Sequence, residues 1–429
     1  MNLRQLQADL PTRPTDVHGP GAAAPVLFHT LPAKNGMQIG MATLNAENTL
    51  NALSCDMVRL LAAQLLLWES DPAIAMVVLQ GAGERAFCAG GDLQNLYASM
   101  REHHASPRRG DVLGNACALQ FFAEEYRLDY QIHCYRKPLL CWGHGIVMGG
   151  GIGLMAGASH RVVTERSRLA LPEIGIGLFP DVGSSWLLNR MPGQLGLFLA
   201  LTGAVINASD AKFVKLADFH LPHASLPGLL ALLQQQDWPA GPTAVAQNRP
   251  LLSQILREQE SLHVSGEPGP LRQHFDVINH LCSAPTLTHI VQQLTTLVSD
   301  DAWLNKAITN LRKACPRSIW LAYQLQQRSK HLSLAQVFRL ELGVALACAS
   351  GPEFVEGIRA LLIDKDLRPQ WAVPDLVDLT TPPATGAQPR SRQPDWFASP
   401  WSAADHPLRD LQELPISGTT PELPTTANI

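Results

Sequence analysis

The sequence has no C-x-x-C pair, no long run of lysine and arginine, and no apolar run of transmembrane length. Its eight cysteines (Cys55, Cys88, Cys117, Cys134, Cys141, Cys282, Cys315, Cys348) are scattered, so zinc-ribbon and dithiol-redox motifs fail on spacing. Apolar neighbours around Cys55, Cys141 and Cys348 suggest small buried thiols, which fits a reducing cytosol. The formal net charge is -4 and Arg108-Arg109 is an isolated pair, so a nucleic-acid partner is not expected. The first residues, MNLRQLQADLPTRPTDVHGPGAAAP, lack the basic-then-apolar layout of a signal peptide and carry two aspartates, unlike a transit peptide. A cytoplasmic location with no membrane partner is the resulting expectation. There is no internal repeat and no G-x-S-x-G elbow, which removes solenoids and the usual serine hydrolases.

What is present begins, after a loose stretch to about residue 24, with two strands around Lys34-Asn35-Gly36, Asn-Gly being a strong hairpin signal. A helix follows, with Ser54 as its cap and Met57, Leu60, Leu61, Leu65 and Trp68 on its apolar face. "IAMVVLQG" reads as a buried strand, and "KPLLCWGHGIVM" and "HRVVTERSRLAL" return to strand later, so the architecture is α/β. Residues 97 to 135 read as helical, with Glu124 and Glu125 on a solvated face. Two short helices are expected after Asp181, the second capped by Asp210 with Ala211, Val214 and Leu216 on its apolar side. From about 222 to 370 the pattern is helical, with Ser333 and Gln336 as a capping box, and beyond 380 it turns rich in Pro, Thr and Ser.

The chemistry concentrates between Cys141 and Val182. Three consecutive glycines, Gly149 to Gly151, let backbone approach a ligand without a Cβ in the way. Glu173 and Asp181, each after a proline, are candidates for acid–base or nucleophilic work. A second glycine turn lies in "GAGERAFCAGGDL", Gly81 to Leu93. Two glycine turns and two acids read locally as a backbone oxyanion hole facing carboxylates. "GIGLMA" from Gly151 matches G-x-G-x-x-A, but Glu165 follows too closely for a dinucleotide crossover helix to fit between. Ser184-Ser185 suits helix capping, Cys88 between Phe87 and Ala89 suits an inert thiol, and His103-His104 lack metal-ligand spacing. His144 and His160 are read as structural hydrogen-bond partners.

"AFCAGGDL" (Ala86–Leu93) with "HGIVMGGGIGL" (His144–Leu154) resembles the enoyl-CoA hydratase/isomerase, or crotonase, superfamily. "FFAEEY", "LPEIGIGLFPDVG" and "FVEGIRALLIDKDLRPQW" (Phe354–Trp371) look like its 3-hydroxyisobutyryl-CoA hydrolase branch. The resemblance runs from about residue 27 to 372. It implies a crotonase-type ββα spiral core over 25–221 and a mainly helical region over 222–372, and composition adds a flexible extension over 1–24 and a Pro-rich tail over 373–429. It places the oxyanion donors on the backbone N–H of Gly91 and Gly150, and the substrate-contacting acids on Glu125, Glu173 and Asp181. Asn51-Ala52-Leu53 resembles the segment whose backbone meets the adenine end of CoA.

One departure separates the reactions. Hydratases of the family carry a glutamate where this sequence has Gly153, which cannot transfer a proton. The implied activity is therefore hydrolysis of a short-chain hydroxyacyl-CoA thioester, with 3-hydroxyisobutyryl-CoA of valine breakdown the implied substrate. Glu173 would serve as nucleophile or general base, Asp181 would orient the substrate hydroxyl or assist water, and Glu125 would bind the polar acyl end. The alternatives are an enoyl-CoA hydratase or isomerase and a non-catalytic acyl-CoA-binding protein. No metal or other cofactor is called for, since CoA belongs to the substrate, and a homo-oligomer is possible.

Overall fold

The computed structural model describes residues 24–262, 268–380 and 395–413. Residues 1–23 of the expected extension, and 381–394 and 414–429 of the expected tail, lie outside the described residues. β1 (Val26–Pro32) and β2 (Gln38–Leu44) pair antiparallel around the expected turn, where Gly36 takes a φ of 85°. α1 (Cys55–Ser70) starts where Ser54 Oγ accepts the Met57 N–H at 3.2 Å, and its expected apolar face is buried. β3 (Ile74–Gly81) lies between β2 and β5 (Leu139–Gly143), parallel to both, which is why its run is apolar without alternation.

The chain then alternates between two sheets. β4 (Ala86–Cys88), β6 (Ile146–Met148) and β8 (Arg168–Ala170) form a three-stranded parallel sheet in that order. β3, β5 and β7 (His160–Val163) belong to a six-stranded sheet ordered β1-β2-β3-β5-β7-β9, closed by β9 (Phe219–His220). β3, β5 and β7 of the large sheet are each followed by a strand of the small sheet and then by helical structure, the repeating ββα unit expected of the core.

The helix expected over 97–135 is two, α2 (Leu93–Ala105) and α3 (Ala116–His133). Pro107 and the positive φ of Gly110 break it, and Gly114 packs so closely on His103 that no side chain fits there. α4 is the glycine helix Gly150–Ala156, and after Asp181 there are three short helices rather than two: α5 (Ser184–Leu188), α6 (Leu195–Thr202) and α7 (Ala208–Phe213). Asn207, not Asp210, caps α7, accepting the Asp210 N–H at 2.9 Å. Asp210 instead accepts from the N–H groups of Leu271 and Arg272, each at 3.0 Å, where a later helix begins.

Beyond β9 the described chain is helical. α8 (Ala302–Lys313) packs on α6, and α9 (Leu334–Ser350) has the expected capping box between Ser333 and Gln336. α10 (Pro352–Ile358) runs into a π-helical turn at Arg359–Ile363. One buried apolar cluster includes Val26, Phe198, Leu304 and Leu376, so strands end near residue 221 without a break in packing. Residues 395–413 lie against α3 and α9: Trp396, Leu408 and Leu411 are buried, and Arg127 pairs with Asp410 at 2.6 Å.

Candidate active site

The three strands of the small sheet run parallel, so their carboxyl ends open on one place, where ligands commonly bind in parallel α/β sheets. The turn after β4 delivers Gly90 and Gly91, the turn after β6 delivers Gly149 and Gly150, and the helical turn after β8 delivers Glu173. These residues, with Glu125 from α3 and Asp181, wall a cavity of about 530 Å³. Its size suits a small-molecule site.

The glycines are there for contact distance. Gly90 has a φ of 111°, and a Cβ on it would stand 3.9 Å from the Gly150 nitrogen. Gly149 has a φ of 50°, and a Cβ there would meet Glu173 Oε1 at 2.9 Å. The two turns and Glu173 are therefore packed directly on one another. Gly150 opens α4, so its N–H is one of those a helix start leaves unpaired. Gly91 bridges to Leu53, but the bonds run from Leu53 N–H to Gly90 O and from Asp92 N–H to Leu53 O. Among the described residues neither the Gly91 nor the Gly150 N–H has an acceptor. Two free backbone donors thus belong to residues that line the cavity.

Glu173 is 5% exposed, Asp181 4% and Glu125 2%. Burial, then the nearby Asp181, raises Glu173 well above the usual carboxylate range, and Glu125 is raised by the same two causes. Burial raises Asp181 to about 6, and the Tyr126 hydroxyl, donating to Asp181 Oδ2 at 2.7 Å, works against that rise. Charges sharing one buried site disfavour one another's ionisation, so the three carboxyls titrate as a coupled set. Glu173 Oε2 is buried without a partner, a reactive atom left for a ligand or water.

The structure brings together Gly91, Gly150, Glu125, Glu173 and Asp181. Glu125 is not on a solvated face: only Glu124 points outward, to Arg59 at 2.7 Å. Asn51, Ala52 and Leu53 are not on the cavity wall. The Asn51 amide is spent on the carbonyls of Ala82 and Ala86, and Leu53 holds the Gly90–Asp92 turn through its backbone. Asn51 and Leu53 are buried and the N–H groups of all three residues bond within the chain, so their contact with a nucleotide stands only as a proposal. Ser184-Ser185 do not cap α5; its first N–H groups are held by Glu341 from α9. His144 and His160 bond to backbone and serine oxygens, and Cys88 is buried with its thiol raised to about 12.

Three groups escaped the sequence reading: Tyr126, Asp129 and Glu341. Asp129 is fully buried beneath Gly153, where a Cβ would meet its Oδ2 at 2.6 Å, and burial and Glu125 raise its carboxyl strongly. All three occupy apolar helical stripes, a signal that an acid or hydroxyl there is buried for a purpose. Among the described residues no group of three or more His, Cys, Asp or Glu side chains is placed to hold a metal ion, and no single helix is long and apolar enough to cross a membrane.

The sequence profile of the enoyl-CoA hydratase/isomerase family matches residues 39–384. The chain belongs to this family. It is 36% identical over 352 residues to the mitochondrial 3-hydroxyisobutyryl-CoA hydrolase of Danio rerio, covering 80% of this chain and 87% of that one. The Homo sapiens protein of the same name is 35% identical over 343 residues, covering 80% and 83%. Among solved structures, a carnitinyl-CoA dehydratase from Mycobacterium thermoresistibile superposes with a TM-score of 0.70 at 32% identity, over 83% of this chain and 94% of that one. An enoyl-CoA hydratase from Rhodobacter sphaeroides gives 0.69 at 33% identity, over 83% and 95%. The crotonase fold and the hydrolase relatives are those the motifs implied.

Proposed function

We propose that the protein hydrolyses a short-chain hydroxyacyl-CoA thioester, with 3-hydroxyisobutyryl-CoA the favoured substrate, releasing the hydroxy acid and CoA. The observation that carries this reading is a buried Glu173 with one unpartnered oxygen, packed on a glycine turn beside two free backbone N–H groups. The thioester carbonyl oxygen accepts from the Gly91 and Gly150 N–H groups, where its charge develops during attack. One such donor is typically worth about a hundred- to a thousandfold in rate.

Glu173 then acts at the carbonyl carbon. Either its oxygen attacks to give an acyl anhydride that water cleaves, or it takes a proton from water that attacks directly; thiolate leaves in both cases. Heavy-oxygen label found in Glu173 after one turnover selects the first. Asp181, held by the Tyr126 hydroxyl, is the partner for the substrate hydroxyl or the attacking water. Glu125, raised well above the usual carboxylate range by burial and by Asp181, donates in its protonated form to the polar acyl end. At the mouth, Lys306, Asn310 and Lys313 share one face of α8, and the phosphates of CoA leave the cavity past them.

A glutamate at 153 would collide with Asp129 and with Val182, whose Cβ lies 2.9 Å from the position a Cβ would take. The two-glutamate hydration route therefore lacks its second acid. The test is thiol release from 3-hydroxyisobutyryl-CoA against water addition to crotonyl-CoA in one preparation. Release without hydration supports the reading; hydration without release replaces it. The reaction calls on no metal or cofactor beyond the CoA of the substrate. The cytoplasmic location expected from the N-terminal residues belongs to this proposal, and the two hydrolase relatives named above are mitochondrial. Fractionation of the source cells decides it, as sedimentation decides whether the chain forms homo-oligomers.

A further inference from the structure

Asp181 is followed by a backbone conformation that its residues do not favour. Val182 has a φ of 55°, in a region that β-branched residues rarely enter, and Gly183 follows at 78°. Locally the turn is closed by one backbone bond, from the Ser184 N–H to the Asp181 carbonyl at 2.9 Å, and α5 has no side-chain cap from Gly183. The side-chain hold comes from 158 residues away in the chain. Glu341, fully buried in the middle of α9, accepts the Gly183 N–H at 2.7 Å on one carboxylate oxygen and the Ser185 N–H at 3.0 Å on the other. α9 also presses on the turn through Phe338, whose ring lies 2.9 Å from where a Gly183 Cβ would be.

We infer that Glu341 is a positioning residue for the site: its two hydrogen bonds hold the strained Asp181–Val182–Gly183 turn so that the Asp181 carboxylate faces the substrate. A buried acid costs stability unless its oxygens are used, and here both are used on N–H groups that α5 leaves open. Those N–H groups lie one and three residues beyond the strained valine, so the helical region anchors an acid of the core site. The inference rests on the hydrolase reading only for its activity readout.

The test is a double-mutant cycle on Glu341→Gln and Val182→Gly. Glutamine keeps the shape but offers an amide N–H₂ to one of the two donors, so the turn loses one of its bonds. In the wild-type background kcat should fall roughly ten- to a hundredfold with KM changed much less, since small misplacements near the reacting atoms have this effect. Glycine at 182 accepts the positive φ without strain, so in the Val182→Gly background the same Glu341→Gln change should cost far less. An equal cost in both backgrounds, or an unchanged kcat in Glu341→Gln, overturns the inference. Amide exchange at Gly183 and Ser185 reads the turn without any substrate: exchange should be protected in the wild type and faster in Glu341→Gln. Unchanged exchange overturns the inference whatever the enzyme turns over. A wild type inactive on every thioester, with exchange behaving as expected, removes the hydrolase reading and leaves the pinned turn standing.

Discussion

Replacing Asp181 by asparagine separates what this acid does for the reaction from what it does to the fold. Its carboxyl is raised from an ordinary 3.8 to about 6 by burial. A raised acid favours its protonated form in the folded state, so folding is undisturbed below about pH 4 and is progressively penalised as pH rises to about 6. Above that the penalty is complete, and a rise from 3.8 to about 6 corresponds to about 3 kcal/mol. Asparagine is neutral at every pH and its carbonyl still accepts from Tyr126. The Asp181→Asn variant should therefore match the wild type near pH 4 and become more stable by up to about 3 kcal/mol near neutral pH. Denaturant unfolding of both proteins across this pH range measures it, with thiol release followed in parallel. Stability should rise as activity falls, the usual trade at a strained site. A stability difference that does not change with pH, or a variant less stable at neutral pH, refutes the electrostatic reasoning.

Further outcomes follow from the same geometry. Gly149→Ala places a methyl 2.9 Å from Glu173 Oε1 at a φ of 50°, so kcat should fall at least about tenfold with a smaller change in KM, as steady-state kinetics will read. Tyr126→Phe removes the hydrogen bond that lowers Asp181, so the acid limb of the kcat/KM profile should move to higher pH; an unmoved limb contradicts the pairing. Lys306→Glu with Lys313→Glu should raise KM for CoA esters, and weaken its dependence on salt, while leaving kcat nearly unchanged.

Much of the core was legible because its signals are local. The Asn35-Gly36 turn, the Ser54 cap, the apolar face of α1 and the Ser333–Gln336 box each depend on residues within a few positions. The glycine turns and Glu173 were legible from their motifs. The break between α2 and α3 was missed because periodicity on both sides outweighed Pro107 and Gly110. Local pattern alone set Glu125 beside Glu124 on a solvated face, while the motif put Glu125 in the site; one position apart on a helix is about 100° of rotation, and Phe121, Phe122 and Asp129 share the inward side with Glu125. The Asn207 cap was assigned to Asp210 because either spacing suits a helix start, and Asp210 is drawn to Leu271 and Arg272, 61 and 62 residues on. Likewise no local pattern joins Tyr126 to Asp181 or Glu341 to Gly183. Those pairs exist only once α3 and α9 pack around the Asp181 turn.

The central claim is that Glu173 breaks a CoA thioester held by the Gly91 and Gly150 N–H groups. The direct measurement is thiol release from 3-hydroxyisobutyryl-CoA by the wild type and by Glu173→Ala, with CoA-ester binding measured on both. The account predicts rapid release by the wild type, and loss of release with binding retained in the variant. Release that survives the loss of Glu173 would contradict it.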